Sequence, residues 1–178
     1  EGAKSVISLA VSYLGENPEK TRLNYGRTAR YAWGEDYHIT IKAKIKEFTN
    51  SLEEVVGENV RTRAFVDDGP MNDRAAARRS GLGWVGKNTN VISPRFGSWI
   101  LLGQVVTDLH LEPDTPLKKT CGSCVRCIDD CPTGAIVAPY VIDNTRCISY
   151  LTIELKGSIP IDLRPLVGDW VFGCDICQ

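Results

Sequence analysis

All seven cysteines of this 178-residue chain lie between Cys121 and Cys177, and the first 120 residues contain none. Four of them form the run Cys121-Gly-Ser-Cys124-Val-Arg-Cys127-Ile-Asp-Asp-Cys131-Pro132, a C-x2-C-x2-C-x3-C-P spacing. That spacing cages 4Fe–4S clusters, with the fourth cysteine turned toward the second cluster of a pair. Two-residue spacers wrap three thiolates around three irons of one cube, and the three-residue spacer and proline redirect the fourth. Thr133-Gly134-Ala135-Ile136 then supplies a tight turn and an apolar strand to cover the sulfurs. Zinc more naturally takes two CxxC pairs tens of residues apart. A disulfide framework needs an even set and an exported chain, and neither is indicated.

Counting extends the reading. Cys121, Cys124 and Cys127 hold one cluster and lack a fourth thiolate, while Cys131, Cys147, Cys174 and Cys177 complete the second. The eighth ligand is expected three residues past Gln178, where a second C-x2-C-x3-C run would deliver it.

Other reactive side chains are less decisive on their own. Asp67 and Asp68 follow an apolar stretch, Val60 to Val66, at the strand end where α/β folds place their chemistry. Neighbouring side chains on a strand point to opposite faces, so at most one faces a site. Turn formation and helix capping before Pro70 explain both equally well. Between Met71 and Trp99 the chain carries Arg74, Arg78, Arg79, Lys87 and Arg95 against Asp73, a local charge of +4 interleaved with Trp84, Phe96 and Trp99. Such a segment suits a phosphate backbone, or simply a solvated helix face. Gly81-Leu-Gly83-Trp-Val-Gly86-Lys87 lacks the spacing and the Ser or Thr of a phosphate-binding loop. His38 and His110 are the only histidines, and neither is assigned a metal.

These residues must be positioned by ordinary globular elements. Twenty-one basic against twenty-two acidic residues, with 43% hydrophobic and 24% charged, describe a folded, nearly neutral chain with no global polyanion signal. No apolar run approaches the roughly 18 residues of a membrane span. Ala3 to Tyr13 reads as a buried strand closed by Gly15 and Pro18, and Arg22 to Trp33 as loop. Helical spacing of Ile41, Ile45, Phe48, Leu52, Val55 and Val56 predicts a helix from His38 to Val56, ended by Gly57. Val60 to Val66 reads as a strand and Asp73 to Arg79 as helix. Asn90 to Ile92 and Ser98 to Thr107 read as strands paired around Pro94-Arg95-Phe96-Gly97. The Pro- and charge-rich stretch from Leu111 to Lys119 marks a boundary. The expected architecture is a mixed α/β sandwich over residues 1–115, followed by a compact cluster domain over 116–178.

Several strings together resemble the epoxyqueuosine reductase family. They are Arg30-Tyr31-Ala-Trp33-Gly34-Glu-Asp36-Tyr37-His38, Val66-Asp67-Asp68-Gly69-Pro70, the Gly81–Lys87 string and Gly97-Ser98-Trp99. To these add the cysteine run, Arg146-Cys147-Ile-Ser149-Tyr150-Leu-Thr152-Ile-Glu154-Leu and Gly173-Cys174-Asp175-Ile-Cys177-Gln178. The resemblance implies a cobalamin-binding α/β domain joined to a two-cluster ferredoxin-like domain. Further N-terminal residues and a C-terminal helical-repeat domain would lie outside this chain.

It also implies a reaction. The epoxide of epoxyqueuosine, at the wobble position of a tRNA anticodon stem-loop, is reduced to the cyclopentene of queuosine, the last step of queuosine biosynthesis. Two 4Fe–4S clusters relay electrons from an external low-potential donor to base-off cobalamin. Asp67 takes the family's catalytic position in Val-Asp-x-x-Pro, as the acid that protonates the epoxide oxygen and as a cofactor contact; burial would keep it protonated. Arg30, Ser149, Lys156 and Asp175 resemble the other cobalamin contacts. A monomeric, cytoplasmic, membrane-free enzyme is expected, with the basic segment in the anticodon-loop surface. The alternatives are a corrinoid reductive dehalogenase, expected to use a Tyr acid and a twin-arginine leader, and a ferredoxin-like electron-transfer module.

Overall fold

The structure, a computed structural model, describes residues 2–16, 25–57 and 59–178. In chain order the strands are β1 (Ser5–Ser12), β2 (Arg27–Thr28), β3 (Thr62–Phe65), β4 (Trp84–Val85), β5 (Val91–Ile92), β6 (Ile100–Thr107), β7 (Ile136–Ala138), β8 (Val141–Ile142) and β9 (Trp170–Phe172). The α-helices are α1 (Tyr37–Val56), α2 (Asp73–Arg79), α3 (Arg126–Asp129) and α4 (Arg164–Val167). Short 3-10 turns cover Arg30–Ala32 and Asn144–Arg146, and a π-helical turn covers Tyr150–Glu154. Among the described residues, no helix is long and apolar enough to cross a membrane.

Two compact units result, and both are interleaved in sequence. One comprises Glu1–Tyr13, Gly34–Trp84 and Val91–Lys119; the other comprises Leu14–Trp33, Val85–Asn90 and Thr120–Gln178. Backbone pairing of β2 with β9, anchored by Arg27 N–H to the Asp169 carbonyl at 2.7 Å, ties residues 25–33 to the cysteine-bearing unit.

The first unit is built on a three-stranded antiparallel sheet in the order β1–β6–β3. β6 lies in the middle, so Gly103, Gln104, Val105 and Thr107 are buried. β1 is an edge strand without a buried residue, which corrects the expectation of a buried strand there. Its proposed terminator Pro18 and residues 22–24 of the expected loop lie outside the described residues; the rest of that loop includes β2 and a 3-10 turn. The long helix forms as its periodicity predicts. Asp36 caps α1 by accepting from His38 N–H at 2.9 Å, and Gly57, at φ 70°, ends it with a left-handed residue. Ile41 and Ile45 of α1 pack on Val66 and Val105, with Ile7, Leu9, Val11, Tyr37 and Leu101 around them. Gly103 permits this approach, since a Cβ there would lie 2.9 Å from Ile45 Cδ1. Burying each isoleucine contributes about 1.5–3 kcal/mol.

Strand pairing departs from the sequence reading at one point. β5 pairs with β4, not with β6; Ser93 and Gly97 form only an isolated bridge. β6 is instead claimed by β1 and β3, in the registers Ser5↔Thr107 and Thr62↔Thr107.

The second unit has little regular structure. Its strands are the two-residue β2 against β9 and the hairpin β7–β8. Ile148, Leu151, Leu163 and Val167 form its core, with Leu155, Ile159, Trp170, Cys174 and Ile176 packed against them. A cysteine is thus part of the packing, and short turns carry most of the chain.

Candidate functional site

The cysteine loops are shaped by local hydrogen bonds. Cys124 N–H donates to the Cys121 carbonyl at 3.0 Å, closing a turn on Gly122, whose φ is 53°. The Lys87 ammonium donates to the Gly122 carbonyl at 2.8 Å and to the Cys124 carbonyl at 2.9 Å. Asn88 Nδ2 donates to the Cys177 carbonyl at 2.6 Å. Arg146 Nε donates to the Thr133 carbonyl at 2.7 Å. The turn it secures directs Ala135 N–H onto Cys131 Sγ at 3.3 Å, with the Thr133 hydroxyl 3.6 Å from the same sulfur. Buried Ala135 and Ile136 cover this corner.

Electrostatics sort the thiols. Burial, then the nearby Cys121 and Cys124, push the Cys127 thiol above its ordinary range. Burial pushes Cys174 up to about 11, with Cys147 and Cys131 adding to it. Burial pushes Cys177 up to about 12, with Cys174, Cys147, Cys131 and, more weakly, Cys127 contributing. Cys131 is the exception. Burial is its largest single influence and raises it, but hydrogen bonds from the Thr133 hydroxyl and the N–H groups of Ala135, Ile136 and Thr133 bring it below the ordinary value. Cys127 thus neighbours Cys121 and Cys124, Cys174 neighbours Cys147 and Cys131, and Cys177 neighbours Cys174, Cys147, Cys131 and Cys127. Among the described residues, no three Cys, His, Asp or Glu side chains converge on a single ion.

In the first unit, Asp67 sits just past β3 with φ 52°, a left-handed conformation rarely adopted by residues other than glycine. Such strain persists only where surrounding contacts enforce it. Tyr37 Oη donates to Asp67 Oδ2 at 3.1 Å. Asp68 turns the other way: its Oδ1 accepts from Val66 N–H at 2.8 Å and its Oδ2 pairs with Lys42. The Lys42 hydrogen bond, followed by that from Val66, lowers the Asp68 carboxyl. One aspartate is therefore structural and the other is presented outward, exposed on the surface of its own unit.

Of the remaining expected contacts, Arg30 and Asp175 meet. Arg30 N–H donates to Asp175 Oδ2 at 2.8 Å, and Gln178 Nε2 to Asp175 Oδ1 at 3.0 Å. The Arg30 guanidinium lies 5.2 Å over the Trp33 ring and donates to the Gly15 carbonyl. Ser149 precedes the π-helical turn, where its hydroxyl makes no capping bond, and Lys156 is exposed. π-Helical turns are rare and often accompany functional sites.

The basic segment divides. Arg74, Arg78 and Arg79 are exposed on α2, and Arg95 stacks 5.0 Å over Phe96. Lys87 belongs with the cluster loops instead of with a phosphate surface. The Gly81–Lys87 string is a packing device: a Cβ at Gly83 would lie 2.5 Å from the Ile92 carbonyl oxygen, and one at Gly81 would lie 2.8 Å from that of Thr115. His38 Nδ1 pairs with Asp36 Oδ1 at 2.7 Å. Lys87 and Asn88 support the cysteine loops, and the polar pair directly after a glycine-rich turn is the sequence signal for them.

Two sets of thiols on short turns define an iron–sulfur protein, and residues 120–178 match the 4Fe-4S double cluster binding domain. Residues 1–68 match the family described as Epoxyqueuosine reductase QueG, DUF1730. The whole chain is 47% identical over 178 residues to an epoxyqueuosine reductase of Cellulophaga algicola, of which it covers 57%. An epoxyqueuosine reductase solved with a tRNA-Tyr epoxyqueuosine-modified stem loop aligns over 99% of this chain and 48% of that one, at TM-score 0.92 and 37% identity. A Bacillus subtilis epoxyqueuosine reductase, with its aspartate-bearing catalytic loop swung out of the active site, aligns over 99% of this chain and 47% of that one, at TM-score 0.91 and 36% identity. The chain is similar along its whole length to epoxyqueuosine reductases and spans just over half the length of the curated relative.

Proposed function

We propose that this chain carries the reducing centre of an epoxyqueuosine reductase, and that its substrate is epoxyqueuosine in a tRNA anticodon stem-loop. The observation that carries the reading is the C-x2-C-x2-C-x3-C-P run, inside a match to a double 4Fe-4S cluster domain, within a chain 47% identical to such an enzyme. Both C–O bonds of the epoxide break, a C=C bond forms, and the oxygen leaves as water with two electrons and two protons taken up. Residues 1–115 are read as the cobalamin-binding part and 116–178 as the ferredoxin-like part, with residues 14–33 and 85–90 structurally allied to the latter.

Cysteine thiolates hold the clusters. Cys174 and Cys177 must lose protons that burial makes them retain, so iron binding itself drives deprotonation. The N–H···S bonds to Cys131 stabilise negative charge on that sulfur and tune its cluster. The second unit adds donors for the macrocycle to the Asp67 contact of the first: Lys156 and the Ser149 hydroxyl are available, and Arg30 and Asp175 fix the adjoining backbone. Bound there, base-off cobalamin would supply a metal centre able to accept electrons singly and pass them to carbon. Asp67 donates the proton to the epoxide oxygen, with Tyr37 setting its carboxyl orientation. A positioned acid of this kind contributes about 10²–10⁴-fold. A catalytic loop that swings out in the Bacillus relative agrees with an exposed Asp67 that must close on its target.

Arg74, Arg78, Arg79 and Arg95 are the candidates for phosphate contact. The reading further takes the enzyme as a cytoplasmic monomer served by an external low-potential donor. Anaerobic reconstitution followed by turnover of an epoxyqueuosine stem-loop tests it. Corrinoid binding excludes a plain ferredoxin-like carrier, and dehalogenation without epoxide reduction would assign the chain to the corrinoid dehalogenases. D67N should bind corrinoid yet lose turnover by at least a hundredfold; full turnover by D67N would remove the acid assignment.

A further inference from the structure

We propose that Lys87 is a positioning residue that sets the reduction potential of the cluster held by Cys121, Cys124 and Cys127, its fixed positive charge easing the entry of an electron there. This rests on the reading of those three cysteines as ligands of one 4Fe–4S cluster.

The ammonium is anchored at its root. Gly86 N–H donates to the Asn90 carbonyl at 2.8 Å and Thr89 N–H to the Gly86 carbonyl at 2.8 Å, with Thr89 at φ 66°, so residues 86–90 close a tight turn on themselves. Asn88 is buried inside it; its Oδ1 accepts from Asn90 N–H at 3.2 Å and its Nδ2 donates to the Cys177 carbonyl at 2.6 Å. The Lys87 carbonyl accepts from Tyr140 N–H at 2.9 Å. From this root the side chain ends between the carbonyls of Gly122 and Cys124, at 2.8 and 2.9 Å.

Covalent geometry then bounds the distance from the charge to a ligand sulfur. The carbonyl oxygen and Sγ of one cysteine lie at most about 4.5 Å apart. The ammonium nitrogen is therefore within about 7.5 Å of Cys124 Sγ. Among the described residues, no carboxylate forms an ion pair with Lys87, so its charge is not cancelled at the turn. Arg126, Asp129 and Asp130 on the cysteine loop are exposed and screened by solvent, whereas Lys87 is half-buried.

Reduction adds one electron and no atom to the cube, the electron coming from the external low-potential donor. The cube becomes one charge more negative, and a nearby cation stabilises that form over the oxidised one. Net charge and hydrogen bonding are among the levers that set cluster potentials. The other ligand set has its own cation, Arg146, whose Nε donates to the Thr133 carbonyl at 2.7 Å, so the effect of Lys87 falls mainly on the first cluster.

Potentiometric titration of the anaerobically reconstituted protein tests this, with dithionite as reductant, viologen mediators and electron paramagnetic resonance of the reduced clusters as readout. K87M keeps the stem and removes the charge. It should lower the reduced-to-oxidised ratio of one cluster at a fixed potential by at least about threefold, a fall of about 28 mV at 59 mV per tenfold. The second cluster should move by less. K87Q, neutral but still an N–H donor, should behave as K87M does, and K87R should stay near the wild type. Unmoved potentials in both neutral variants, an equal fall at both clusters, or a fall in K87R as large as in K87M would overturn the assignment. Failure of both neutral variants to hold the first cluster would overturn it too, because Lys87 would then serve assembly. Wild-type protein lacking the iron and sulfide of two cubes would instead remove the cluster reading beneath it.

Discussion

The Lys87 ammonium bridges the carbonyls of Gly122 and Cys124, at 2.8 and 2.9 Å, from a position 35 and 37 residues upstream. A single cation thereby fixes the peptide path between the first two cysteines. It also ties the turn after Trp84 to the cysteine loop, which explains why residues 85–90 fold with the second unit. Replacing it with alanine removes two charge-assisted bonds, together about 1–2 kcal/mol at this half-buried position. K87A should retain iron at both sites at first, then release the iron held by Cys121, Cys124 and Cys127 several-fold faster to a chelator. Visible absorbance during chelation measures this.

The two ligand sets make a separable prediction. C131S should lose the cluster it shares with Cys147, Cys174 and Cys177 and leave the other intact, cutting iron and sulfide by about half. C124S should do the converse. Electron paramagnetic resonance of the reduced variants distinguishes the two losses. If either substitution abolishes both clusters equally while the chain stays folded, the grouping is incorrect.

Acid titration should separate the neighbouring aspartates by sign. The Asp68 carboxyl is lowered chiefly by its hydrogen bond from Lys42. Its contribution to stability is therefore present above the ordinary carboxylate range and is lost as pH falls through its folded value. D68N should lower the midpoint of thermal unfolding at pH 7, and the difference should fade under acid. Asp73 is raised, chiefly by burial, so it costs stability as pH rises above the ordinary range. D73N should raise the midpoint at pH 7. Melting curves of both variants between about pH 3 and 7 give the two signs.

Gly83 tests the packing reading of the glycine-rich string. An added methyl would meet the Ile92 carbonyl oxygen at 2.5 Å and Val91 Cγ1 at 2.8 Å, and the backbone cannot yield as a side chain would. G83A should destabilise the protein by about 1–3 kcal/mol in denaturant unfolding. A loss of phosphate or nucleotide affinity at unchanged stability would contradict this reading.

What the sequence disclosed was what its neighbours determine. The helices over His38–Val56, ended by Gly57, and over Asp73–Arg79 follow from spacing within a few turns of chain. Contacts between distant segments were not legible. β6 was assigned the nearby β5 as partner, yet it pairs with β1, nearly a hundred residues away, because the Val, Leu and Ile side chains of β6 and β1 complete one apolar layer. Lys87 was placed among phosphate-binding residues since an ammonium serves a carbonyl or a phosphate with the same chemistry, and only the fold shows which it meets.

The most direct test follows one oxygen atom. The anaerobically reconstituted protein, loaded with iron, sulfide and corrinoid and supplied with a low-potential reductant, is mixed with an epoxyqueuosine stem-loop, and the nucleoside is analysed by mass. The account predicts loss of one oxygen per two electrons consumed, abolished when iron is chelated. Unchanged nucleoside in a preparation with full cluster content, or deoxygenation that survives removal of the iron, would contradict it.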